Sequence, residues 1–431
     1  AACLYEQGLG VDEDRDAAMH WFSEAAEQGY APAQYSVGCL YDADQDYATA
    51  LEWYHMAAAQ GNVDAQFAIG YLHDHGCGVE QNYATALEWY REAAAQGDAN
   101  AQFAIGYLYG HGQGVQQDHA TALKWYHKAA AQGDVDAQYA IGDLYDHGWG
   151  VERNYTTALQ WYRQAAHQGH DVAQHAIGHL FQHGKGVRLD TATALVWYLK
   201  AAYQGHAVAQ YDAACLYQHE ADHANALQWL SRAAALGYAP AQFSLGYVYE
   251  HGHGVQQDYA TALEWYSKAA AQGYVAALNN GGYLYQHGRG VQADLATARE
   301  WYLRAANQGH APAQYNVGYL FEHGLGVQPD DTAALEWYHK AADQGHAEAQ
   351  YCLGCLYECG RGVPEYDYDA ALEWYLKAEQ QGHADASGAR TELLRQRGID
   401  IFDNLLVQMQ EEGEEDEEET QVSVLLCNAA A

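Results

Sequence analysis

Histidine is the residue type whose spacing most suggests chemistry, because it recurs just before a glycine along most of the chain. The repeated residues are His75, His111, His147, His183, His219, His251, His287 and His323. Neutral imidazole is a common metal ligand and titrates near neutral pH. Packed helices lie ~8–10 Å apart, so neighbouring imidazoles could not share one ion through bonds of ~2 Å. We predict no metal site and a structural role at helix C-termini, where histidine is favoured; a pH-sensitive groove stays an alternative.

Cysteine offers a second candidate chemistry. Cys352, Cys355 and Cys359 fall at positions i, i+3 and i+7 of one predicted helix face. Three thiolates could hold zinc with an outside ligand, but packing of small side chains is the favoured interpretation. A second group shares one repeat position and is too widely spaced for the ~7 Å limit of a disulfide: Cys3, Cys39, Cys215 and Cys355. Reduced thiols indicate an intracellular, cytoplasmic setting.

Catalytic motifs are the third possibility, and the sequence offers none. Each loop carries Gly-x-Gly-Val, as at Gly76–Val79, but a phosphate-binding loop needs a preceding strand and a longer glycine spacing. No Gly-x-Ser-x-Gly sequence is present. The letters His-Glu-x-x-His occur at residues 219–223, but across a predicted turn between two helices, whereas the metalloprotease motif needs both histidines on one helix. The many carboxylates are periodic, which is typical of solvated helix faces. We therefore expect a protein without enzymatic activity and without a cofactor.

The elements that position these residues belong to a tandem repeat. Tryptophan marks it at positions 21, 53, 89, 125, 161, 197, 229, 265, 301, 337 and 374. Within one unit, Ala65, Ile69 and Leu72 form an apolar stripe at helical spacing. Gly76 ends that first helix, and Asn82 caps a second helix. Stacked hairpins of this kind predict an all-α fold, an α-solenoid with a right-handed superhelix.

The repeated phrases resemble the Sel1-like repeat, a relative of the tetratricopeptide repeat with a longer loop between its helices. They are A-x-x-x-[LI]-G-x-L-Y, G-x-G-V and A-L-x-W-Y-x-K-A-A-x-Q-G. Two repeats have lost four loop residues, at 42–46 and 218–222. The resemblance implies about eleven repeats and a capping helix over residues 1–398. It also implies a binding scaffold, because Sel1-like proteins commonly act as adaptors.

Charge and hydropathy narrow the partners. The chain of 431 residues carries 57 acidic and 20 basic residues, a net charge of −37. Such a charge repels phosphate backbones, so we expect no nucleic acid partner and favour proteins or peptides with basic segments. No apolar run approaches the ~20 residues of a membrane helix. The chain begins within a repeat at Ala1, so we expect that it is cut there and that a signal peptide could have preceded it.

The alignment with tetratricopeptide-like solenoids implies that the first helices line a concave groove. Tyrosines there would supply large amphipathic contacts, and carboxylates between the rings would favour lysine or arginine. Packing between repeats is an alternative role for each ring. Trp149 is added as either a loop anchor or an exposed contact. The predicted groove residues are Phe67, Tyr71, Asp74, Phe103, Tyr107, Tyr139, Asp143, Asp146, Trp149, Tyr247, Glu250, Tyr283, Tyr319 and Glu322.

Three segments depart from the repeat. At 278–282, Gly281 stands where other repeats carry a core aliphatic residue, which predicts a soft joint. Residues 386–398 resemble a polar first helix and are expected to cap the array. The segment 399–410 has apolar residues at helical spacing and is expected to cover the open end of the core, followed by a disordered acidic tail at 411–431.

The sequence therefore predicts a non-catalytic scaffold or adaptor that binds protein or peptide partners in its groove. Two alternatives remain. One is a hydrolase, as proposed for disulfide-rich relatives, whose disulfide pattern this chain lacks. The other is an array that binds metals or small ligands. Neither the partner nor the oligomeric state follows from the residues.

Overall fold

The structure, a computed structural model, describes residues 14–397, and within that range it contains twenty-two helices and no strand. The predicted all-α solenoid of helical hairpins is confirmed. The predicted cover at 399–410 and tail at 411–431 lie outside the described residues. The chain divides into two compact units, Ala1–Trp229 and Leu230–Ala431, each of which is treated by itself below.

The described part of the first unit begins with a second helix and then alternates first and second helices. They are α1 (Arg15–Glu27), α2 (Ala31–Ala43), α3 (Tyr47–Ala58), α4 (Val63–His75), α5 (Tyr83–Ala95), α6 (Ala99–His111), α7 (His119–Ala131), α8 (Val135–His147), α9 (Tyr155–His167), α10 (Asp171–His183), α11 (Thr191–Tyr203) and α12 (Ala207–His219). The next helix, α13 (His223–Ala235), includes the division between the units.

The second unit continues the same alternation. Its helices are α14 (Ala239–His251), α15 (Tyr259–Ala271), α16 (Val275–His287), α17 (Leu295–Ala306), α18 (Ala311–His323), α19 (Asp331–Ala342), α20 (Ala347–Cys359), α21 (Tyr368–Gln380) and α22 (Ala386–Gln396).

Local capping explains where these helices begin and end. The Asn62 side chain accepts a hydrogen bond from the Ala65 N–H at 2.7 Å, which satisfies a free donor in the first turn of α4. Gly76 ends α4 with a φ of 69°, in the left-handed region that glycine adopts without strain. Asn82 caps α5 in the same way. The predicted caps are confirmed.

The core lies between the two helices of each hairpin and the hairpin that follows. Ile69 and Leu72 of α4 are buried together with Tyr90 of α5. Gly70 permits this packing, because a Cβ atom there would lie 2.7 Å from the Tyr90 ring. The same contact recurs between Gly106 and Tyr126.

A row of buried glutamines also links the helices, which the sequence pattern did not indicate. The Gln96 side chain at the end of α5 donates to Gln66 of α4 at 2.8 Å. Gln132 donates to Gln102 at 3.0 Å in the next hairpin. Because a buried amide without partners is costly, these pairs fix the position of each second helix against its first.

The two short repeats turn more tightly, as predicted. Only three residues separate α2 from α3, and only three separate α12 from α13. Each turn places a residue other than glycine in the left-handed region, Gln45 with a φ of 62° and Ala221 with a φ of 58°. Such positions cost an L-residue ~1–2 kcal/mol relative to glycine.

The segment predicted as a soft joint is a continuous helix, α16. The ring of Trp301 lies directly over Gly281 and occupies the place of the missing aliphatic side chain. Leu278 replaces the usual buried glutamine and is itself fully buried. The absent side chain is thus replaced by a neighbouring ring, and a softer joint there stays a prediction.

The last described helix, α22, packs on α21. Leu393 is buried in a cluster with Ala371 and Tyr375, and Arg390 forms an ion pair of 2.8 Å with Glu379. One face of α22 is therefore apolar, while Thr391 and the residues after Leu394 are exposed. This arrangement is what a terminal cap of a repeat array needs.

Candidate binding surface

Most first helices carry an acceptor for the hydroxyl group of the second-helix tyrosine that packs on them. In the first unit the Tyr90 hydroxyl donates to Asp74 at 3.1 Å, and the Tyr162 hydroxyl donates to Asp146 at 3.2 Å. Burial raises the pKa of both tyrosines. The carboxylates Asp74 and Asp146 of the predicted groove are therefore acceptors within their repeats, a role that their spacing did not indicate.

The same bond forms in the second unit. The Tyr266 hydroxyl donates to Glu250, and the Tyr338 hydroxyl donates to Glu322 at 2.7 Å. Glu250 is buried, in contrast to the accessible position expected from the sequence. Glu322 also forms an ion pair of 2.9 Å with Arg361.

Tyrosines near the end of the first helices are exposed and held by the repeated histidines. Tyr71 is 45% exposed, and its ring centroid lies 4.0 Å from that of His75 in a stacked geometry. The Nδ1 atom of His75 lies 3.1 Å from the Tyr71 carbonyl oxygen, to which it donates as N–H. The same hydrogen bond and a close ring contact recur at Tyr107, Tyr247, Tyr283 and Tyr319, each with the histidine four residues later. The rings are stacked except at Tyr283, where they are tilted by 35°, and Tyr283 and Tyr319 are half-buried.

The remaining predicted rings serve packing as well as the surface. Phe67, Phe103 and Tyr139 are half-buried, and their ring centroids lie 5.5, 5.5 and 5.6 Å from the rings of the tyrosines that follow on the second helices. Burial raises the pKa of Tyr139 to about 12. Packing between helices thus applies to the position of Phe67, and surface contact applies to the position of Tyr71.

Two neighbouring clefts open on this surface of the first unit and share Phe103 and Tyr107. One, of about 440 Å³, is also lined by Phe67, Tyr71 and Asp74. The other, of about 320 Å³, lies around Gly110 and is called the Gly110 cleft below; it is also lined by Tyr139, Asp143 and Trp149. The structure therefore brings together eight of the predicted residues. Asp146 does not line either cleft.

The Gly110 cleft differs from its neighbour in that its repeat lacks the acceptor side chain. Gly110 occupies the position of Asp74 and Asp146, so no side chain fills the space beside the Tyr126 hydroxyl. Burial raises the pKa of Tyr126. Sequence reasoning missed Gly110, Tyr126 and His119, although the glycine at a position otherwise occupied by Asp, Glu or Gln is visible in the repeat alignment.

Trp149 forms one wall of the Gly110 cleft, and it is both anchored and exposed. Its ring lies between the rings of His147 and His119, with centroids 4.4 and 5.7 Å away and planes 18° and 17° apart. Beside it, Asp143 stands where neighbouring repeats present an exposed tyrosine. Burial raises the pKa of Asp143, although the nearby His147, 3.1 Å from the carboxylate, lowers it.

The thiols contribute no visible site. Cys352 and Cys355 are partly buried, Cys359 is exposed, and all three are free. Burial raises the pKa of Cys352 to about 12, so its thiol is protonated at neutral pH. Among residues 14–397, no group of three or more His, Cys, Asp or Glu side chains has a geometry suited to a metal ion. Within the same range, no helix is long and apolar enough to cross a membrane.

Fold and surface together define an α-solenoid whose hairpins present repeated aromatic side chains. The Sel1 repeat matches eleven consecutive segments of the chain, at residues 1–30, 31–62, 63–98, 99–134, 135–170, 171–206, 207–238, 239–274, 275–310, 311–346 and 347–383. The chain belongs to the Sel1 repeat family. No curated protein matches it in a sequence comparison.

Solved structures agree with this assignment. The chain is similar to a protective antigen with an SLR fold, present in uropathogenic Escherichia coli strains, with 33% identity, a TM-score of 0.69, and coverage of 97% of this chain and 95% of the other. It is also similar to a Sel1 repeat protein from Oxalobacter formigenes, with 32% identity, a TM-score of 0.40, and coverage of 79% and 89%.

Proposed function

We propose that this protein is a non-catalytic scaffold or adaptor that binds protein or peptide partners along its first helices. The observation that carries the proposal is the recurring stack of an exposed tyrosine on a histidine, as in Tyr71 with His75 and Tyr247 with His251. Large aromatic rings dominate the energy of protein interfaces. A ring already held in place loses little conformational entropy when a partner binds.

Charge favours partners with basic segments. The chain carries a net charge of −37, and Asp74, Asp136 and Asp143 lie at the two clefts of the first unit. Complementary charge speeds association and selects the partner, and salt screens it. Binding that depends on these carboxylates should weaken as ionic strength rises.

The experiment compares the partners captured by the natural chain and by variants without the exposed rings. One variant carries Tyr71→Ala with Tyr107→Ala, and a second carries Tyr247→Ala with Tyr283→Ala. The matched control carries Tyr30→Ala with Tyr203→Ala, which removes tyrosines that are 61% and 73% exposed but line neither cleft. Partners would be captured by proximity labelling in the source organism and quantified by mass spectrometry.

We expect the first two variants to lose partners that the control retains, with helical content unchanged by circular dichroism. Truncation of a buried interface tyrosine commonly costs ~2 kcal/mol or more, about a thirtyfold loss of affinity. If both variants keep every partner of the natural chain, these tyrosines of the first helices are not part of the binding surface. An activity abolished by a single substitution would contradict the non-catalytic part of the proposal.

A further inference from the structure

Three departures from the repeat meet at the Gly110 cleft. Gly110 replaces the acceptor side chain that every other first helix described, from α2 to α20, carries. In the next repeat, Asp143 replaces the exposed tyrosine, and Trp149 occupies a loop position held elsewhere by residues such as Gln113 and Lys185. All three line the same space of about 320 Å³. The equivalent cleft of the preceding repeat, with Asp74, Tyr107 and Gln113 at these positions, has a volume of about 440 Å³. The three departures therefore change the lining of the space, and they give this cleft a chemistry of its own.

The walls of the cleft are aromatic. Phe103 and Tyr107 of α6, Tyr126 of α7 and Tyr139 of α8 surround it, and Trp149 stands at its edge. The faces of such rings carry negative potential and attract cations, with tryptophan the strongest. The Trp149 ring is stacked on the His147 ring and lies 5.7 Å from the His119 ring, which holds it in one orientation, and the side chain is still 45% exposed.

The charge of the cleft has one sign. Asp136 and Asp143 line it, and none of its lining residues is lysine or arginine. Asp143 is half-buried, and the partner of its carboxylate is the imidazole of His147 at 3.1 Å. Asp136 is paired with His170 at 3.3 Å. Both carboxylates thus face histidines rather than permanently charged groups, which leaves negative potential in the cleft at neutral pH.

Two polar atoms at the wall lack the partners that their surroundings would normally supply. The Tyr126 hydroxyl has no hydrogen bond within the described residues, whereas its equivalents Tyr90 and Tyr162 donate to carboxylates. The Nδ1 atom of His119 is buried and has no partner within the same range. Buried polar atoms are nearly always paired, so the enclosed His119 Nδ1 is an exception. Tyr126 lines the cleft, and its hydroxyl is available to a ligand.

We propose that the Gly110 cleft binds an alkylammonium group, as found on lysine, methylated lysine or a choline-like molecule. Aromatic faces and two carboxylates attract the positive charge, while the apolar rings contact its methyl or methylene groups. The Tyr126 hydroxyl would accept a hydrogen bond from, or donate one to, a polar atom of the same ligand. The inference rests on the proposed function, since it names the group of a partner that this part of the surface accepts.

The size of the cleft limits what enters. A volume of about 320 Å³ lies at the lower end of the ~300–1,000 Å³ typical of ligand sites. A head group with a short alkyl stem fits such a space, while a helix or strand of a partner does not. The group could belong to a free small molecule or to a side chain of a partner, and both sources share the same chemistry.

Calorimetric titration of the full chain tests the inference with four probes. Choline is compared with 3,3-dimethylbutan-1-ol, its neutral isostere of equal shape. A short peptide with one trimethyllysine is compared with the same peptide carrying norleucine. The variants are Gly110→Gln, which introduces the side chain used at Gln182 and Gln286, and Trp149→Gln, which introduces the residue found at Gln113. The matched control is Gln182→Glu, a change between residues that this position tolerates in other repeats.

We expect the charged probes to bind and both neutral probes to fail. Gly110→Gln and Trp149→Gln should each weaken binding about tenfold or more, and Gln182→Glu should not. Tighter binding of the trimethyllysine peptide than of choline would identify a protein side chain as the source, and the reverse order would identify a free ligand.

Equal binding of the neutral isosteres would overturn the inference, since the cleft would then be merely apolar. Absence of binding by every charged probe, or unchanged binding by Gly110→Gln, would also overturn it. Partner loss in the tyrosine variants together with failed probe binding would refute this inference alone and leave the proposed scaffold role intact. Probe binding without partner loss in the tyrosine variants would instead refute the proposal that these tyrosines bind partners.

Discussion

Two glycines on the same helix should respond to alanine with opposite signs. Gly106 and Gly110 lie one turn apart on α6, and both face Tyr126 of α7. A Cβ atom at Gly106 would lie 2.7 Å from two carbons of the Tyr126 ring, whereas a Cβ atom at Gly110 would lie 3.5 Å from its hydroxyl oxygen. Carbon atoms attract best at ~3.5–4.0 Å, so only the first substitution forces the ring to move.

The magnitudes follow from these distances. Alanine is preferred over glycine in a helix by ~1 kcal/mol, so Gly110→Ala, which adds a methyl group without a clash, should stabilise by about 1 kcal/mol. Tyr126 is only 4% exposed and cannot move aside freely. Overpacking typically costs ~1–3 kcal/mol, and the helix preference offsets ~1 kcal/mol of that, so Gly106→Ala should destabilise by up to about 2 kcal/mol.

Native-state hydrogen exchange is the suitable assay, because a repeat array need not unfold in one step. Peptides covering α6 and α7 should exchange faster in Gly106→Ala and slower in Gly110→Ala than in the natural chain. Peptides covering α18 and α19, in the other unit, provide an internal reference. If the two variants change exchange in the same direction, the packing argument is wrong.

Three further outcomes are expected. His310 and His346 each accept a first-turn N–H group through Nδ1, and burial lowers the pKa of both imidazoles. Because the unfolded chain then binds more protons than the folded chain, the free energy of unfolding is highest above the unfolded pKa of ~6.5 and decreases as the pH falls below it. Replacing both with Asn should flatten the dependence of the thermal midpoint between pH 7 and 5; an unchanged slope would contradict this role. Ala221→Gly should stabilise by about 0.5–1 kcal/mol by relieving a φ of 58°, and a lower urea midpoint would contradict the strain. Trp301→Ala should lower the free energy of unfolding by about 3–5 kcal/mol, more than Trp265→Ala, because only the Trp301 ring fills the space over a core glycine. Equal loss of hydrogen-exchange protection in α16 for the two variants would contradict this.

The fold was accessible from sequence because its determinants are local and repeated. Asn62, Ile69, Gly70 and Gly76 have separate roles in one helix, and each role is set by residues within the same or the following helix. The alignment of eleven copies then separates these roles from chance. The close approach at Gly70 was predictable for that reason, since only a packing partner explains a recurring glycine within a helix.

The binding surface was only partly accessible, because its character depends on which side chains bond to one another. Asp74 and Glu250 read as surface carboxylates from their spacing, yet both accept hydroxyl groups from buried tyrosines. The pairing of Gln66 with Gln96 was likewise hidden, since both residues are polar and thirty positions apart. Periodicity shows which face a residue occupies but not which atom it contacts.

The convergence at the Gly110 cleft follows from the geometry of a repeat array. Residues that are identical in every repeat make the same contacts in each, so they contribute equally to partner binding along the whole surface and cannot distinguish one part of it from another. A selective site requires residues that differ from their equivalents, and those residues must lie within contact of one another. Gly110 near the end of α6 meets Asp143 and Trp149 because α6, α8 and the loop after α8 line one space. The cleft can therefore provide specificity for one partner group, and the repeated tyrosines of the first helices can provide general binding affinity.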